Sequence, residues 1–530
     1  MKIVVAEPTL TSGIELLKAQ KGWEVIVSNP KDYEQHLPGA DGLLASRSVK
    51  ITAAQIEKAT ELKAIAYPGP GKDFVDLDAA TAAGIMVMNL PGESAVAVAE
   101  HTMGLMLALA RSIPQAIAST RGGKWEGRRF MGTELRRKTL GVMGLGIIGR
   151  EVVKRARAFE MKVLANDPYV NAETAASLGV TLVDHATIFG QSDYITLHLA
   201  LTTETMGILG DDAFGKMKQG VRIINCARGE LVDVVALRKA LEAGKVAGAA
   251  LDVLQTEPPE AGEPLLKMEN VFATPHIGGS TEEAQELISV RMAEHLIEYL
   301  NEGIAVSALN VPAMSEEATR AIIPYVHLAD RLGTFAAHIA QGNPKLVRLV
   351  YFGSLTPQNT HLIRNAGLAG VLSRSMEQKP NPVNALKRAA DRGLSYAERF
   401  ERPVRHADMI RLELETDKGT TVVEGAIVLD RPRLLSVNRI HCETPLHGHL
   451  LYLSIADVPG VVGHVGNVLG KHKTNIASLW LGRQTEPDVA GEPLKAVIVV
   501  ETDQAVNEEV LAEVLRNPEV KFGRKVEFRA

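Results

Sequence analysis

Up to about residue 310 the chain alternates short apolar runs with longer stretches in which apolar residues return every three or four positions. The short runs, rich in Val, Ile, Leu and Ala, predict strands at residues 3–6, 42–44, 64–66, 86–88, 139–143, 162–166, 194–197, 222–225, 248–252 and 271–273. Strands separated by helical patterns of about 10–15 residues imply βαβ units, parallel sheets and right-handed crossovers. Residues 98–111 are apolar around most of a helical circumference, which predicts burial between domains or subunits.

The rhythm changes near residues 310–313. Helical segments follow, then strands predicted at 347–352, 411–415 and 421–429 with no Gly-rich crossover, an α+β pattern. A second change falls at residues 444–448. Beyond it the chain reads strand 450–455, helix 461–472, strands 476–483 and 494–502, helix 507–516 and strand 520–528. This βαββαβ order is the ferredoxin-like unit.

Length and charge narrow the function classes. The 530 residues exceed what one core holds and imply several domains. A net charge of −5 gives no basic field, so neither nucleic acid nor a membrane surface is expected as a partner. Aromatics make up only 4%, so the core must be aliphatic. Cys226 and Cys442 lie far apart in the sequence and match no disulfide framework or metal spacing. The first apolar run is too short for a signal peptide, and the longest, 95–110, is broken by Glu100 and His101. A soluble cytoplasmic protein is the expectation. His441, Cys442, His447 and His449 carry ligand chemistry at irregular spacing in an expected linker, so no metal is predicted. Arg364, Arg374, Lys379, Lys387, Arg388 and Arg392 make the third segment locally basic, which reads as a solvated helix face.

The strongest chemical signal is Gly144-Leu145-Gly146-Ile147-Ile148-Gly149, a G-x-G-x-x-G placed directly after a predicted strand and opening a helix. Asp167 ends the next strand, 18 residues after Gly149. Dinucleotide binding needs each part: a glycine for the tight turn, one for close approach to the pyrophosphate, one for helix–strand contact, and an acid for the ribose hydroxyls. Pro168 and Tyr169 follow Asp167 with no arginine to receive a 2′-phosphate, so NAD is favoured over NADP.

Arg228, Glu257 and His276 each follow a predicted strand end. Ligands of doubly wound sheets bind beyond the carboxyl ends of strands, so these three are expected to converge beside the nicotinamide. Singly, each has an ordinary structural reading. Together behind the dinucleotide fingerprint they match hydride exchange with a 2-keto acid. That reaction needs a cation for the carboxylate, an imidazolium to protonate the oxygen, and a carboxylate to keep the imidazole charged.

The segments 144–149 with Asp167, 225–229, 251–259 and 275–280 resemble the D-isomer-specific 2-hydroxyacid dehydrogenases. The resemblance implies Arg228 as the substrate-binding arginine and Glu257 with His276 as the acid–base pair. It implies cofactor contacts at Gly144, Gly146, Ile147, Ile148, Asp167, Ala227, Asp252, His276 and Gly278. Residues 280–285 extend it toward the family's phosphoglycerate dehydrogenases, whose long form carries an intervening domain and a C-terminal ACT domain. Residues 359–368 resemble the former; 457–461 with 474–477 resemble the latter. The implied fold is α/β: a Rossmann-type NAD domain (99–285) and a flavodoxin-like substrate domain (1–98 and 286–310). An α+β intervening regulatory domain (311–445) and a ferredoxin-like βαββαβ ACT domain (446–530) follow. The implied activity is NAD-dependent oxidation of D-3-phosphoglycerate to 3-phosphohydroxypyruvate on the route to serine, by a homodimer or homotetramer. Asp457, Gly460 and Asn475 would receive an amino-acid effector, serine being the expected one.

The first domain departs from the family pattern. Ala45-Ser46-Arg47-Ser48 stands where the family has Arg-Ser, and a one-residue slip turns a strand side chain to the other face. Tyr67 replaces an arginine in the Gly-rich turn that follows, and Glu93 would repel an anion if it faced the site. Arg47, Tyr67 and Lys72, with Arg228 and His276, are therefore the expected substrate contacts. Two alternatives stay open: a dehydrogenase for another small 2-hydroxy acid, and a non-catalytic protein that senses NAD or an amino acid.

Overall fold

The computed structural model describes residues 1–46, 49–69, 74–312, 314–355, 360–376, 380–401, 408–486 and 494–528. β-branched and aliphatic runs form four sheets. The first contains β1 (Lys2–Val5), β2 (Glu24–Val27), β3 (Gly42–Leu44), β4 (Ala64–Tyr67) and β5 (Met86–Asn89), all parallel, in the order β2-β1-β3-β4-β5. This is the flavodoxin-like order. The second holds β6 (Thr139–Met143), β7 (Lys162–Asn166), β8 (Thr181–Leu182), β9 (Tyr194–Leu197), β10 (Val221–Asn225), β11 (Val246–Leu251) and β12 (Val271–Ala273). Its order, β12-β11-β10-β9-β6-β7-β8, reverses between β6 and β9, the switch point at which a doubly wound sheet binds its ligand.

Two long helices cross between these sheets. The Ala95–Arg111 helix leaves the first sheet and lies on β10, β11 and the Ile147–Ala158 helix, burying Ala99, Met103, Met106 and Ala110. The Glu282–Glu302 helix returns and packs Ile288, Met292 and Leu296 on Ile3, Val5 and Leu44. Gly13 permits that return, because a Cβ there would lie 2.2 Å from the Ser289 carbonyl oxygen. Among the described residues no single helix is long and apolar enough to cross a membrane.

The third sheet contains β13 (Pro344–Phe352), β14 (Ser395–Glu401), β15 (Met409–Thr416), β16 (Gly419–Val428), β17 (Arg431–Val437) and β18 (Ile440–Pro445). Its order is β14-β13-β15-β16-β17-β18, antiparallel except for the β13–β14 pair. The fourth contains β19 (His449–Ala456), β20 (Ile476–Arg483), β21 (Lys495–Thr502) and β22 (Val520–Glu527), ordered β20-β21-β19-β22 and wholly antiparallel. One face of this ferredoxin-like sheet is covered by the Val461–Lys471 and Glu508–Val514 helices. The other joins the core of the third sheet, where Tyr452 meets Phe335 edge-on at 5.8 Å between ring centroids.

Two expectations are corrected here. His441 and Cys442 lie on β18, inside a sheet and not in a linker; Cys442 is buried and its thiol is pushed up to about 11 by burial. The basic residues of the third segment do not form a solvated face. Arg364 pairs with Glu398, Arg374 donates to the Ala337 carbonyl, and Arg392 donates to Ser375. Arg388 donates to the Ala82 carbonyl at 3.1 Å and Asn381 Nδ2 to the Gly84 carbonyl at 2.6 Å, docking the third segment on the end of the Leu77–Ala83 helix. Lys379 lies outside the described residues.

Candidate active site

The turn after β6 shows why its glycines are required. Gly144 has φ +96°, and a Cβ there would lie 2.4 Å from the His198 carbonyl oxygen; one on Gly149 would lie 2.1 Å from the Gly144 carbonyl oxygen. Gly146, by contrast, faces open space, with no atom within 4 Å of an added Cβ. An open cradle at the start of the Ile147–Ala158 helix, with Ile147 exposed and Ile148 partly buried behind it, fits a dinucleotide pyrophosphate. Asp167 closes the cradle: its carboxylate accepts from Leu145 N at 2.8 Å and Tyr169 N at 2.9 Å. His198, at the end of β9, was not singled out from sequence. Its partly buried ring contacts Thr196 Oγ1 at 2.9 Å, its buried Nδ1 has no partner among the described residues, and burial pushes the imidazole down to about 4, so it stays neutral.

The other half of the site lies at the ends of three adjacent strands held in register: Asn225 pairs with Leu251, and Leu251 with Ala273. After β10, the Asn225 side chain fixes the turn by accepting from Ala227 N at 3.0 Å and donating to the Arg228 carbonyl at 2.8 Å. Gly229 lets this turn press on the next one, since a Cβ there would lie 2.0 Å from the Leu254 carbonyl carbon. After β11, buried Asp252 accepts from Thr274 Oγ1 at 2.6 Å, Ile277 N at 2.9 Å and Gly278 N at 2.8 Å. Its Oδ1 also lies 3.3 Å from His101 Nε2. Burial pushes Asp252 upward, but the His101 and Thr274 side chains and two backbone N–H groups outweigh it and hold the carboxyl below its ordinary range. Beside it the Cys226 thiol is pushed up to about 12, chiefly by burial.

After β12 the chain adopts φ +54° at His276, whose N–H donates back to the Asp252 carbonyl at 2.9 Å. This strained turn aims the ring at Glu257, with Nδ1 2.7 Å from Oε2. Glu257 Oε1 accepts in turn from Leu254 N at 2.9 Å. Arg228 NH1 donates to the carbonyl of the preceding residue, Ala227, at 2.8 Å, just beyond the end of β10. Arg228, Glu257 and His276 thus occupy neighbouring strand ends. His101 and Thr274, the partners that set Asp252, were missed; the signal was a histidine interrupting an otherwise apolar helix.

The first domain yields less. Ser46 is 1% exposed and donates to Glu7 Oε2 at 2.8 Å, so an acid occupies the neighbourhood where the family pattern has an arginine. Tyr67, expected to touch substrate, is instead 2% exposed, with its ring stacked on Phe74 at 5.3 Å. Gly69 above it would place a Cβ 2.8 Å from that ring, so Tyr67 supports the loop from below. Glu93 accepts from Gly92 N at 3.0 Å. Arg47 and Lys72 lie outside the described residues. In the fourth sheet's region, Gly460 has φ +93° and caps a helix, Asp457 faces Arg483 at 3.4 Å, and Asn475 Nδ2 donates to Asp503 at 2.6 Å.

Comparison with known proteins agrees with this geometry. Residues 103–278 match the model for the D-isomer specific 2-hydroxyacid dehydrogenase NAD binding domain, and residues 321–438 that for the D-3-phosphoglycerate dehydrogenase intervening domain. The D-3-phosphoglycerate dehydrogenase of Methanocaldococcus jannaschii is 40% identical over 98% of this chain and 98% of its own. The chain belongs to the D-3-phosphoglycerate dehydrogenase group of that family. A second member of the group, from Bacillus subtilis, is 34% identical over 98% of each chain. Among solved structures, apo D-lactate dehydrogenase from Escherichia coli superposes with a TM-score of 0.52 at 31% identity, covering 58% of this chain and 98% of its own. Family membership makes this an NAD-dependent dehydrogenase of α/β architecture.

Proposed function

We propose that the protein oxidises D-3-phosphoglycerate to 3-phosphohydroxypyruvate, supplying serine synthesis, with Arg228, Glu257 and His276 as the catalytic group. The observation that carries the reading is the 2.7 Å His276–Glu257 pair beside Arg228, at the strand ends next to the Gly146 cradle. Gly144, Gly146, Ile147 and Ile148 would hold the pyrophosphate of NAD and Asp167 its ribose, with Ala227, Asp252, His276 and Gly278 toward the nicotinamide. Bound NAD supplies the hydride acceptor.

Arg228 holds the substrate carboxylate and orients C2. With Nδ1 committed to Glu257, His276 turns Nε2 toward the C2 hydroxyl and takes its proton as the hydride leaves; Glu257 stabilises the imidazolium that results. In the reverse direction the same nitrogen returns the proton. Asp252 moves no proton in this step. It positions His276 and Gly278 through backbone hydrogen bonds.

The phosphate grip falls to Arg47 and Lys72. The Ser46–Glu7 hydrogen bond favours a second reading, a 2-hydroxy acid without phosphate, because it places an acid where the family has a cation. Serine or another amino acid acts as effector at Asp457, Gly460 and Asn475. Exposed Ile113, Ile117, Met131 and Trp125, the last 92% exposed, support a homodimer or homotetramer built on this face. Two buried free thiols support a reducing, cytoplasmic compartment. The test is NADH formation: the reading requires turnover with D-3-phosphoglycerate and NAD, and absence of turnover with any 2-hydroxy acid would refute it.

A further inference from the structure

Val98, His101 and Thr102, spaced i, i+3 and i+4, share one face of the Ala95–Arg111 helix, and that face meets all three strand ends of the catalytic group. Thr102 reaches the end of β10. Its hydroxyl donates to the Val98 carbonyl at 2.8 Å and shares a side-chain hydrogen bond with Cys226, two residues before Arg228. Val98 reaches the turn after β12, since a Cβ added to Gly278 would lie 3.5 Å from its Cγ2. His101 reaches β11 and β12 together. Its Nε2 lies 3.3 Å from Asp252 Oδ1 and 3.1 Å from Thr274 Oγ1, each on the residue that directly follows its strand.

The protons available fix the direction of these contacts. Asp252, held below its ordinary range, is ionised at neutral pH and can only accept; the Thr274 hydroxyl gives it its single proton at 2.6 Å. His101 therefore donates, sharing its Nε2 proton between the two oxygens. The other donors to this carboxylate are Thr274, Ile277 N and Gly278 N, all on the turn that carries His276. They would move with the turn. His101 comes from a different element, a helix that runs on from β5 of the first sheet, and so holds the carboxylate to a frame outside the turn. The turn needs such a hold, because φ +54° at His276 is a conformation that a non-glycine residue keeps only where its surroundings impose it.

We propose that His101 is a positioning residue for the transfer step, anchoring the Asp252 carboxylate, and through it the His276 turn, to the helix that links the first two sheets. The inference rests on the catalytic reading of His276. Loss of the anchor lets the turn shift against Arg228, and small misplacements of reacting groups slow transfer steeply.

Single-turnover oxidation of NADH by phosphohydroxypyruvate, followed by stopped flow in the full-length protein, tests it. His101→Leu removes the donor and suits the apolar helix. Its transfer rate constant should fall about tenfold at full amplitude, with KM for the keto acid unchanged. His101→Gln, whose amide N–H can stand near the place of Nε2, should recover most of the rate. A merely structural role would lower amplitude and Tm, leave the rate constant of the folded fraction unchanged and give Gln no advantage over Leu. Should His101→Leu fail to fold, Thr274→Val, which removes the hydroxyl between His101 and Asp252, must slow the same step. An unchanged rate constant in the variant that folds, or equal rates for the Leu and Gln variants, would overturn the proposal. Failure of the unmutated protein to oxidise NADH with either phosphohydroxypyruvate or hydroxypyruvate would overturn the catalytic reading itself, and this inference with it.

Discussion

His276 Nδ1 lies 2.7 Å from Glu257 Oε2, across two turns that the sequence separates by 19 residues and the sheet brings edge to edge. The pairing fixes which ring nitrogen is left for the substrate. It also makes the two residues separable by experiment.

His276→Ala should lower kcat by about 10²–10⁴-fold, the usual worth of general acid–base catalysis, while NAD binding persists. Glu257→Gln should keep measurable turnover but lower kcat, because the imidazolium formed in the step loses the carboxylate hydrogen-bonded to its Nδ1. Steady-state kinetics across pH, with NAD affinity by fluorescence, decides both. Near-normal kcat in His276→Ala would contradict the assignment.

Asp167 accepts two backbone N–H bonds at the mouth of the Gly146 cradle, where its negative charge would repel a 2′-phosphate in the proposed binding mode. NAD should be preferred over NADP, and Asp167→Ala should narrow that preference while weakening NAD. The ratio of kcat/KM for the two cofactors is the measurement. An equal preference in the unmutated protein would count against it.

Asp252 contributes stability through its depressed protonation. The sign follows from linkage: a carboxyl held below its unfolded value of roughly 3.9 stabilises the fold above that pH, and the contribution is lost as pH falls through the folded value. Asp252→Asn should therefore lower Tm at pH 7, with the gap closing toward pH 3. A gap constant across that range would assign the loss to packing alone.

Gly84 combines φ +80° with a Cβ position 2.6 Å from Asn384 Nδ2 and 2.7 Å from Asn381 Nδ2. Gly84→Ala should destabilise by roughly 1 kcal/mol or more through backbone strain, and further by loosening the Asn381–Gly84 dock. Thermal denaturation checks it. Unchanged Tm would show that the dock yields freely.

Much of this architecture was legible because its signals are local. Thr139–Met143, Lys162–Asn166, Tyr194–Leu197 and Val271–Ala273 read as strands to the residue, since buried parallel strands are continuous aliphatic runs. The strands missed are short, polar or at an edge. Glu24–Val27 has an aliphatic run of only three residues at a half-exposed sheet edge, Ser395–Glu401 is a polar edge strand, and Thr181–Leu182 is only two residues long. The hairpins around Arg431–Val437 turn at Leu429-Asp430 and Asn438-Arg439, all at positive φ without a glycine to announce them. At the candidate site, the meeting of Arg228, Glu257 and His276 at neighbouring strand ends was legible from their order behind a fingerprint. His101 and His198 were not, because what makes them notable is a partner, or the lack of one, contributed by distant chain. The packing of Tyr67 on Phe74 was hidden for the same reason: replacement of an arginine marks a position but not which way its new side chain packs.

The central claim concerns phosphate at the substrate's third carbon. It is tested most directly by kcat/KM for phosphohydroxypyruvate against hydroxypyruvate in NADH oxidation by the unmutated enzyme. A preference of at least tenfold for the phosphorylated acid is expected, corresponding to about 1.4 kcal/mol or more of phosphate interaction. Equal or better use of hydroxypyruvate would contradict it and leave the dehydrogenase class standing with a different, unphosphorylated substrate.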